Sequence, residues 1–506
     1  MDETASRFPG KTAFSDDKNS ISFGELKTTA QRIGSELVRA VNSEARTSQP
    51  IVVMVRRSIE PLIAFMGVAY SGNFYVPVDE TSPIERLRLI LEVLKPAAVI
   101  CNREADKSKV TQLGYTGYVE NFHSLTESVL DEQLLSKVKN TLLDVDPAYA
   151  IFTSGSTGVP KAVIINHRAV IDLTYWLKET FRFSSTDVLG NQTPFYFDGS
   201  VKDIYISIST GATLHVLARK FFSFPKHLIR VLEEQKVTSI LWATSAVKLV
   251  GSSGILEGAN LPALKSVFFA GEAMPAKQLK LWQQAFPDCS FVNLYGPTEV
   301  TVDCTYYQVN REFDDDEYIP IGKSCRNKQV YVLNEQGEEV VDTGDIGELC
   351  VRGTGLSMGY YGDSHKTQEV FIQNPHHNHY EDKIYKTGDL VRFNEFGELV
   401  FVGRKDQQIK LMGHRIELGD IEVAVHALSN VSDAVCLFDK ESQKLHLFYT
   451  TANNMEEEDL MSKLRTRLPK YMLPNEVMHL LEMPMSPNGK SDRLALRKKY
   501  IDGKNH

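Results

Sequence analysis

Along the N-terminal part of the chain, short runs of β-branched residues alternate with stretches whose apolar positions recur at helical spacing. Ile51-Val52-Val53-Met54-Val55 precedes a helical pattern around 58–70, and Ala97-Ala98-Val99-Ile100 follows another. Thr238-Ser239-Ile240-Leu241-Trp242 and Ser266-Val267-Phe268-Phe269-Ala270 repeat the scheme, each short enough for a buried strand leading into a loop. Strands and helices in alternation predict α/β wiring with mainly parallel sheets, whose ligands bind at the carboxyl ends of the strands. From about Gln329 the texture changes to hairpin-like strands with turns at Asn334-Glu335-Gln336-Gly337 and Asn394-Glu395-Phe396-Gly397-Glu398, which predicts a β-rich subdomain. After Gly403-Arg404-Lys405-Asp406 the pattern predicts a strand, a helix beginning near Glu417, an extended run over 434–438 and a helix over 456–468. The fold class expected is a large α/β N-terminal domain, of parallel-sheet subdomains plus a β-rich one, over 1–405. A smaller α+β domain of about a hundred residues, 406–506, follows it.

Composition narrows the function classes. At 506 residues with 42% apolar content, two domains of unequal size are the natural division. The net charge of −9 is spread among mixed signs without a basic block, so neither nucleic acid nor an anionic membrane surface is an expected partner. The acidic runs at 314–317 and 456–459 read as solvated loop or helix-start charge. Six scattered cysteines without a C-x-x-C pair suggest neither a zinc site nor a disulfide framework, and fit a reducing compartment. Met1-Asp2-Glu3-Thr4 lacks the basic start of a signal sequence, and no run approaches eighteen apolar residues. A cytoplasmic protein is expected. His376, His377 and His379 sit among Asn and Asp neighbours and read as a solvated loop rather than a metal site.

The chemistry is announced by Thr153-Ser154-Gly155-Ser156-Thr157-Gly158-Val159-Pro160-Lys161, directly after the β-type run Ala148-Tyr149-Ala150-Ile151-Phe152. Small residues let backbone N–H groups approach an oxyanion, hydroxyls add donors, and Lys161 brings a point charge to a polyphosphate. The spacing is not G-x-x-x-x-G-K-[ST], so an ordinary P-loop is excluded. Four further segments follow in order: Tyr295-Gly296-Pro297-Thr298-Glu299, Tyr385-Lys386-Thr387-Gly388-Asp389, Gly403-Arg404-Lys405-Asp406-Gln407-Gln408-Ile409-Lys410 and Pro487-Asn488-Gly489-Lys490. With Gly413-His414-Arg415-Ile416-Glu417-Leu418, the chain resembles the adenylate-forming superfamily, and within it the amino-acid adenylation domains of nonribosomal peptide synthetases. The resemblance runs from about Ile21 to Arg497.

The resemblance implies ATP and Mg²⁺ as cofactors and a two-step reaction, in which an acid is joined to AMP and then passed to a phosphopantetheine thiol. Lys490 would bridge the acid carboxylate and the transferring phosphate. Thr298 and Glu299 would meet the α-phosphate, with Glu299 as the metal ligand, a sensible use of a hard oxygen donor. Tyr295 would stack on adenine, with Asn293 and Gly271 at its edge. Asp389 would hold both ribose hydroxyls and Arg404 the ribose or phosphate. Thr153, Ser154, Gly155, Ser156, Thr157, Gly158 and Lys161 would cradle the phosphates. The small domain would be mobile, turning about a hinge at Asp406 to withdraw Lys490 and bring the Gly413 loop, with Lys410 nearby, toward the acceptor. No Gly-Gly-x-Ser-Leu segment follows Tyr500 and no His-His-x-x-x-Asp motif precedes the domain, so a stand-alone enzyme served by a carrier protein in trans is expected.

The family's pocket positions fall on Asp198, Gly199, Lys202, Leu241, Phe268, Ala270, Leu294, Val302 and Asp303. Asp198 would hold a substrate α-ammonium, which implies an amino acid. Lys202 and Asp303 are charges that burial penalises unless they pair with each other or with the ligand. Similar placements occur in members that resemble glutamate activators and favour an acidic or amide side chain. Leu241, Phe268, Ala270 and Leu294 would also suit a flat aminobenzoic acid. Gly271-Glu272 is similar to the D-alanine:carrier-protein ligases, although Lys202 is out of place beside alanine. Acyl-CoA synthetases share the ATP motifs, but Asp198 and the His414–Leu418 stretch favour the carrier-dependent branch.

Overall fold

The structure, a computed structural model, describes residues 1–41, 47–153, 160–315, 317–406, 408–428, 430–451, 455–485 and 491–502. It divides into two compact units. The first comprises Met1–Glu80, Leu94–Ile151 and Ala162–Lys405; the second comprises Asp406–His506 with the segments Thr81–Val93 and Phe152–Lys161.

In the first unit, the strands Ser290–Tyr295, Ser266–Ala270, Ser239–Ala243, Val188–Asn191, Thr213–Val216 and Thr12–Ser15 lie side by side and parallel. Antiparallel strands at Thr305–Gln308, Lys323–Ser324 and Ser20–Ser22 close the two edges of this sheet. The interior strands are fully or almost fully buried, which is why they read as continuous apolar runs rather than alternating ones. A second sheet is built around the parallel strands Pro50–Val55, Phe74–Asp79 and Ala98–Cys101, and the expected helix after Val55 runs over Glu60–Tyr70. The helix Phe23–Val41 buries Phe23, Leu26, Ala30, Ile33 and Leu37, one stripe at helical spacing.

The change of texture near Gln329 marks an antiparallel sheet of Lys328–Leu333, Gly347–Gly353, Lys383–Phe393, Phe371–Gln373 and Leu399–Arg404. Its hairpin turn at 394–398 is held by the Asn394 side chain, which accepts from the backbone N–H groups of Phe396 and Glu398.

The second unit holds the hairpin Gln408–Leu411 with His414–Glu417, the helix Leu418–His426, and a sheet of Val431–Asp439, Lys444–Thr451 and Glu476–His479. The expected helix over 456–468 is shorter, Glu457–Arg465. Pro469 has no N–H to return to Arg465 and disfavours helical backbone at Leu468, so the helix stops early although Leu468 stays buried. A last helix, Arg493–Tyr500, starts under the side chain of Asp492, which accepts from the Ala495 N–H at 3.0 Å.

Candidate active site

Three of the ordered motifs converge within the first unit. Tyr295 ends the strand Ser290–Tyr295, and its hydroxyl donates to Asp389 Oδ2. Asp389 lies in the strand Lys383–Phe393 opposite Arg404, the last residue of Leu399–Arg404, so β-pairing places the two side by side. Arg404 Nη1 donates to Asp389 Oδ1 at 2.6 Å and to the Thr387 carbonyl at 3.0 Å. Burial, reinforced by the charge of Asp389, holds the Tyr295 phenol protonated far above its ordinary range, so it stays a donor. An ionised carboxylate has about four lone-pair positions, so a ribose could still be accepted beside these two protein donors. The amide nitrogen of Asn293 donates to the carbonyls of Ile319 at 3.2 Å and Pro320 at 2.8 Å. Gly271 follows the strand Ser266–Ala270 with φ +101°, backbone that an L side chain rarely adopts.

Glu299 sits with Thr298 in the one-turn helix Thr298–Val300, and its side chain is fully buried. Tyr360 donates its hydroxyl to Glu299 Oε1 at 2.9 Å, and the Ser357 N–H reaches the Glu299 carbonyl at 2.8 Å. The chain then turns through two consecutive non-glycine residues in left-handed conformation, Thr301 at φ +59° and Val302 at φ +68°. Such backbone persists only when its surroundings over-determine it. Here Lys328 donates to the carbonyls of Val300, Thr301 and Asp303, and the Thr301 hydroxyl donates to the Gly355 carbonyl at 2.7 Å. Gly296 closes the turn from the other side: a Cβ there would lie 2.4 Å from the Val302 carbonyl oxygen.

That turn aims Asp303 at Lys202. Their side chains pair at 3.1 Å, with 1% and 4% of each exposed. Lys202 is in the helix Gly199–Thr210, and Asp198, half-buried, stands at its head without capping it. Leu241, Phe268, Leu294 and Val302 are buried in one apolar cluster, with Ala270 packed against it. Asp203, one residue beyond Lys202, is also buried; Asn191 Nδ2 donates to it at 2.5 Å. Arg57 ties the strand ends together there, donating to the carbonyls of Asn191, Thr193 and Leu217.

Residues 1–361 match the family of AMP-binding enzymes. The chain belongs to that family. Among its relatives, zwittermicin A synthase ZmaJ of Bacillus cereus is 31% identical over 98% of this chain and 93% of its own length. Tyrocidine synthase 1 of Brevibacillus parabrevis is 30% identical over 98% of this chain, which spans only 44% of that synthase. In fold, the chain matches the Vibrio cholerae adenylation domain AlmE, solved with glycyl-adenosine-5'-phosphate, with a TM-score of 0.84 at 22% identity over 99% of this chain and 96% of that one. The AMP-binding enzyme described here thus shares the fold of an adenylation domain.

The phosphate loop of this AMP-binding enzyme is described only at its two ends. Thr153 closes the strand Pro147–Thr153 and Lys161 opens Lys161–Asn166. Ser154, Gly155, Ser156, Thr157, Gly158 and Lys490 lie outside the described residues. The histidine loop is tied in rather than solvated throughout: His377 is half-buried and its Nε2 bonds Asp382 at 2.9 Å. Among the described residues no group of three or more His, Cys, Asp or Glu has a geometry fit to hold a metal, and no helix is long and apolar enough to cross a membrane. Sequence reasoning missed Tyr360, Lys328 and Arg57, whose partners are far away in the chain. No local pattern marks them: Tyr360 lies between Gly359 and Tyr361, Lys328 between Asn327 and Gln329, and Arg57 between Arg56 and Ser58.

Proposed function

We propose that this enzyme joins an amino acid or amino-substituted acid to AMP, releases pyrophosphate, and transfers the acyl group to the phosphopantetheine thiol of a carrier protein supplied in trans. The observation that carries the reading is the convergence of Tyr295 and Arg404 on the buried carboxylate of Asp389, within a chain of the AMP-binding family. Asp389 receives the ribose hydroxyls, Tyr295 and Asn293 flank the base, and Arg404 fixes Asp389 in place. Magnesium takes one or two carboxylates plus phosphate oxygens and water, a donor set that Glu299 with Thr298 fits, and when bound it neutralises polyphosphate charge. Tyr360 holds the Glu299 carboxylate in orientation.

In the first step the acid's carboxylate oxygen forms a bond to the α-phosphorus while the bond to the pyrophosphate oxygen breaks. Two anions must approach each other, so cations rather than a base lower the barrier, a part assigned to Lys490 and the phosphate-loop Lys161. In the second step a thiolate attacks the acyl carbon and AMP leaves. The C-terminal unit turns about Asp406 between the steps. Asp198 receives the substrate α-ammonium, and the Lys202–Asp303 pair with its apolar walls selects a side chain of acidic or amide type, or an aminobenzoate ring.

Pyrophosphate exchange into ATP tests the reading, run across the twenty amino acids, both alanine enantiomers and a set of amino- and hydroxybenzoic acids. Strong exchange with one acid is expected; exchange with none would sink the proposal. Turnover of free coenzyme A in place of a carrier would favour an acyl-CoA synthetase.

A further inference from the structure

Two buried polar atoms beside the Lys202–Asp303 pair have no protein partner among the described residues. Asp303 gives one carboxylate oxygen to Lys202 Nζ at 3.1 Å, while its other oxygen, Oδ2, accepts nothing. The hydroxyl of Tyr149, a fully buried residue of the strand Pro147–Thr153, is likewise without a partner. Tyr149 belongs to the same apolar cluster as Leu241, Phe268, Leu294 and Val302, and the charges of Asp198 and Asp303 both act on its hydroxyl. Neighbouring tyrosines do not serve it, because Tyr205 donates to Tyr75 at 3.4 Å. Nor does the other buried ammonium of this region reach Asp303 Oδ2: Lys328 is engaged by three main-chain carbonyls. Buried polar atoms left unpaired are destabilising, and the great majority of them in native proteins find partners.

We propose that Asp303 Oδ2 and the Tyr149 hydroxyl together read an uncharged side chain that both donates and accepts hydrogen bonds, a carboxamide above all, and reject the matching carboxylate. This rests on the adenylation reading and deepens it. The amide N–H donates to Asp303 Oδ2 and its carbonyl accepts from Tyr149. A carboxylate would set a second anionic acceptor against Asp303 Oδ2 with no proton between them. An ammonium side chain would meet Lys202, already paired and of like charge. A site built around hydrogen bonds discriminates strongly against an analogue that leaves its buried groups unpaired.

Pyrophosphate exchange with the full chain and matched acids tests this: glutamine against glutamate and asparagine against aspartate. One amide should exceed its carboxylate in kcat/KM by about a hundredfold or more. Tyr149→Phe removes a hydroxyl that bonds no protein group among the described residues, so its Tm should equal or exceed that of the parent, while the amide-to-carboxylate ratio falls by about tenfold. Glutamate or aspartate exchanging as well as its amide overturns the inference and leaves the adenylation reading standing, as does preference for a basic side chain. A Tyr149→Phe variant with lowered Tm and an unchanged ratio assigns the hydroxyl to structure and overturns its part. Exchange with no acid of any kind overturns the adenylation reading itself.

Discussion

Asp203 carries a measurable consequence for stability. Burial outweighs the hydrogen bond from Asn191 and the charges of Lys202 and Arg57, and pushes its carboxyl from 3.8 up to about 7. The folded state therefore binds this proton more tightly than the unfolded chain. The stability it contributes is fully present below about pH 4 and is lost as the pH rises through about 7. Asp203→Asn keeps an oxygen for Asn191 and removes the titration. Its unfolding free energy should exceed that of the parent at pH 8 by about 4 kcal/mol and match it near pH 4; parallel profiles across that range would contradict the assignment. Asp389→Ala should raise the KM for ATP about tenfold, because it removes the charged acceptor that Tyr295 and Arg404 share. Lys490→Ala should cut pyrophosphate exchange by about a hundredfold or more with nucleotide affinity nearly unchanged, and retained exchange would remove Lys490 from the chemistry. At this scale the sequence was legible where charge was out of place. Lys202 and Asp303, opposite charges bound for an apolar wall, were expected to pair with each other or with the ligand, and they pair with each other. Tyr149 was not legible, since a tyrosine inside an apolar run reads as core, and Tyr360 was not, since its tie to Glu299 spans 61 residues.

At the scale of elements, the turn after Tyr295 does the positioning. Its left-handed Thr301–Val302 backbone is held by Lys328 and by the close approach of Gly296, and this fixes the direction of Asp303. A Cβ at Gly296 would meet the Val302 oxygen at 2.4 Å and the Asp303 Cα at 2.8 Å, both backbone atoms that cannot swing aside. Gly296→Ala should cost about 1–3 kcal/mol of stability and raise the KM for the acid more than the KM for ATP, measured by denaturation and by exchange. Equal effects on both substrates would show that the turn does not act through Asp303. The strands of the parallel sheets were legible because burial on both faces leaves short, unbroken apolar runs. Their order was not, since sequential runs such as Val188–Asn191 and Thr213–Val216 are neighbours while Thr12–Ser15 joins the same sheet from the far N-terminus. Pairing partners are set by long-range packing, which no local pattern encodes.

For the whole molecule, the chain passes from the first unit to the second after Lys405, and the second unit also takes Thr81–Val93 and Phe152–Lys161. The first unit holds Asp198, Lys202, Asp303, Glu299, Tyr295, Asp389 and Arg404, whereas Lys410 and the Gly413 loop belong to the second. In the mechanism proposed, the two half-reactions use different residues of the second unit, with Asp406 as the pivot. Proline at 406 fixes φ near −65° and restricts Lys405 to extended backbone, so it freezes the pivot without touching the nucleotide residues. If the pivot is locked in the arrangement for adenylation, Asp406→Pro leaves pyrophosphate exchange within a few-fold of the parent while acyl transfer to a phosphopantetheine carrier falls by tenfold or more. If it is locked in the arrangement for transfer, exchange falls and transfer from supplied acyl-adenylate persists. Either split supports a pivot at Asp406. Parallel loss of both activities, with an unchanged denaturation midpoint, would place the turning point elsewhere in the chain.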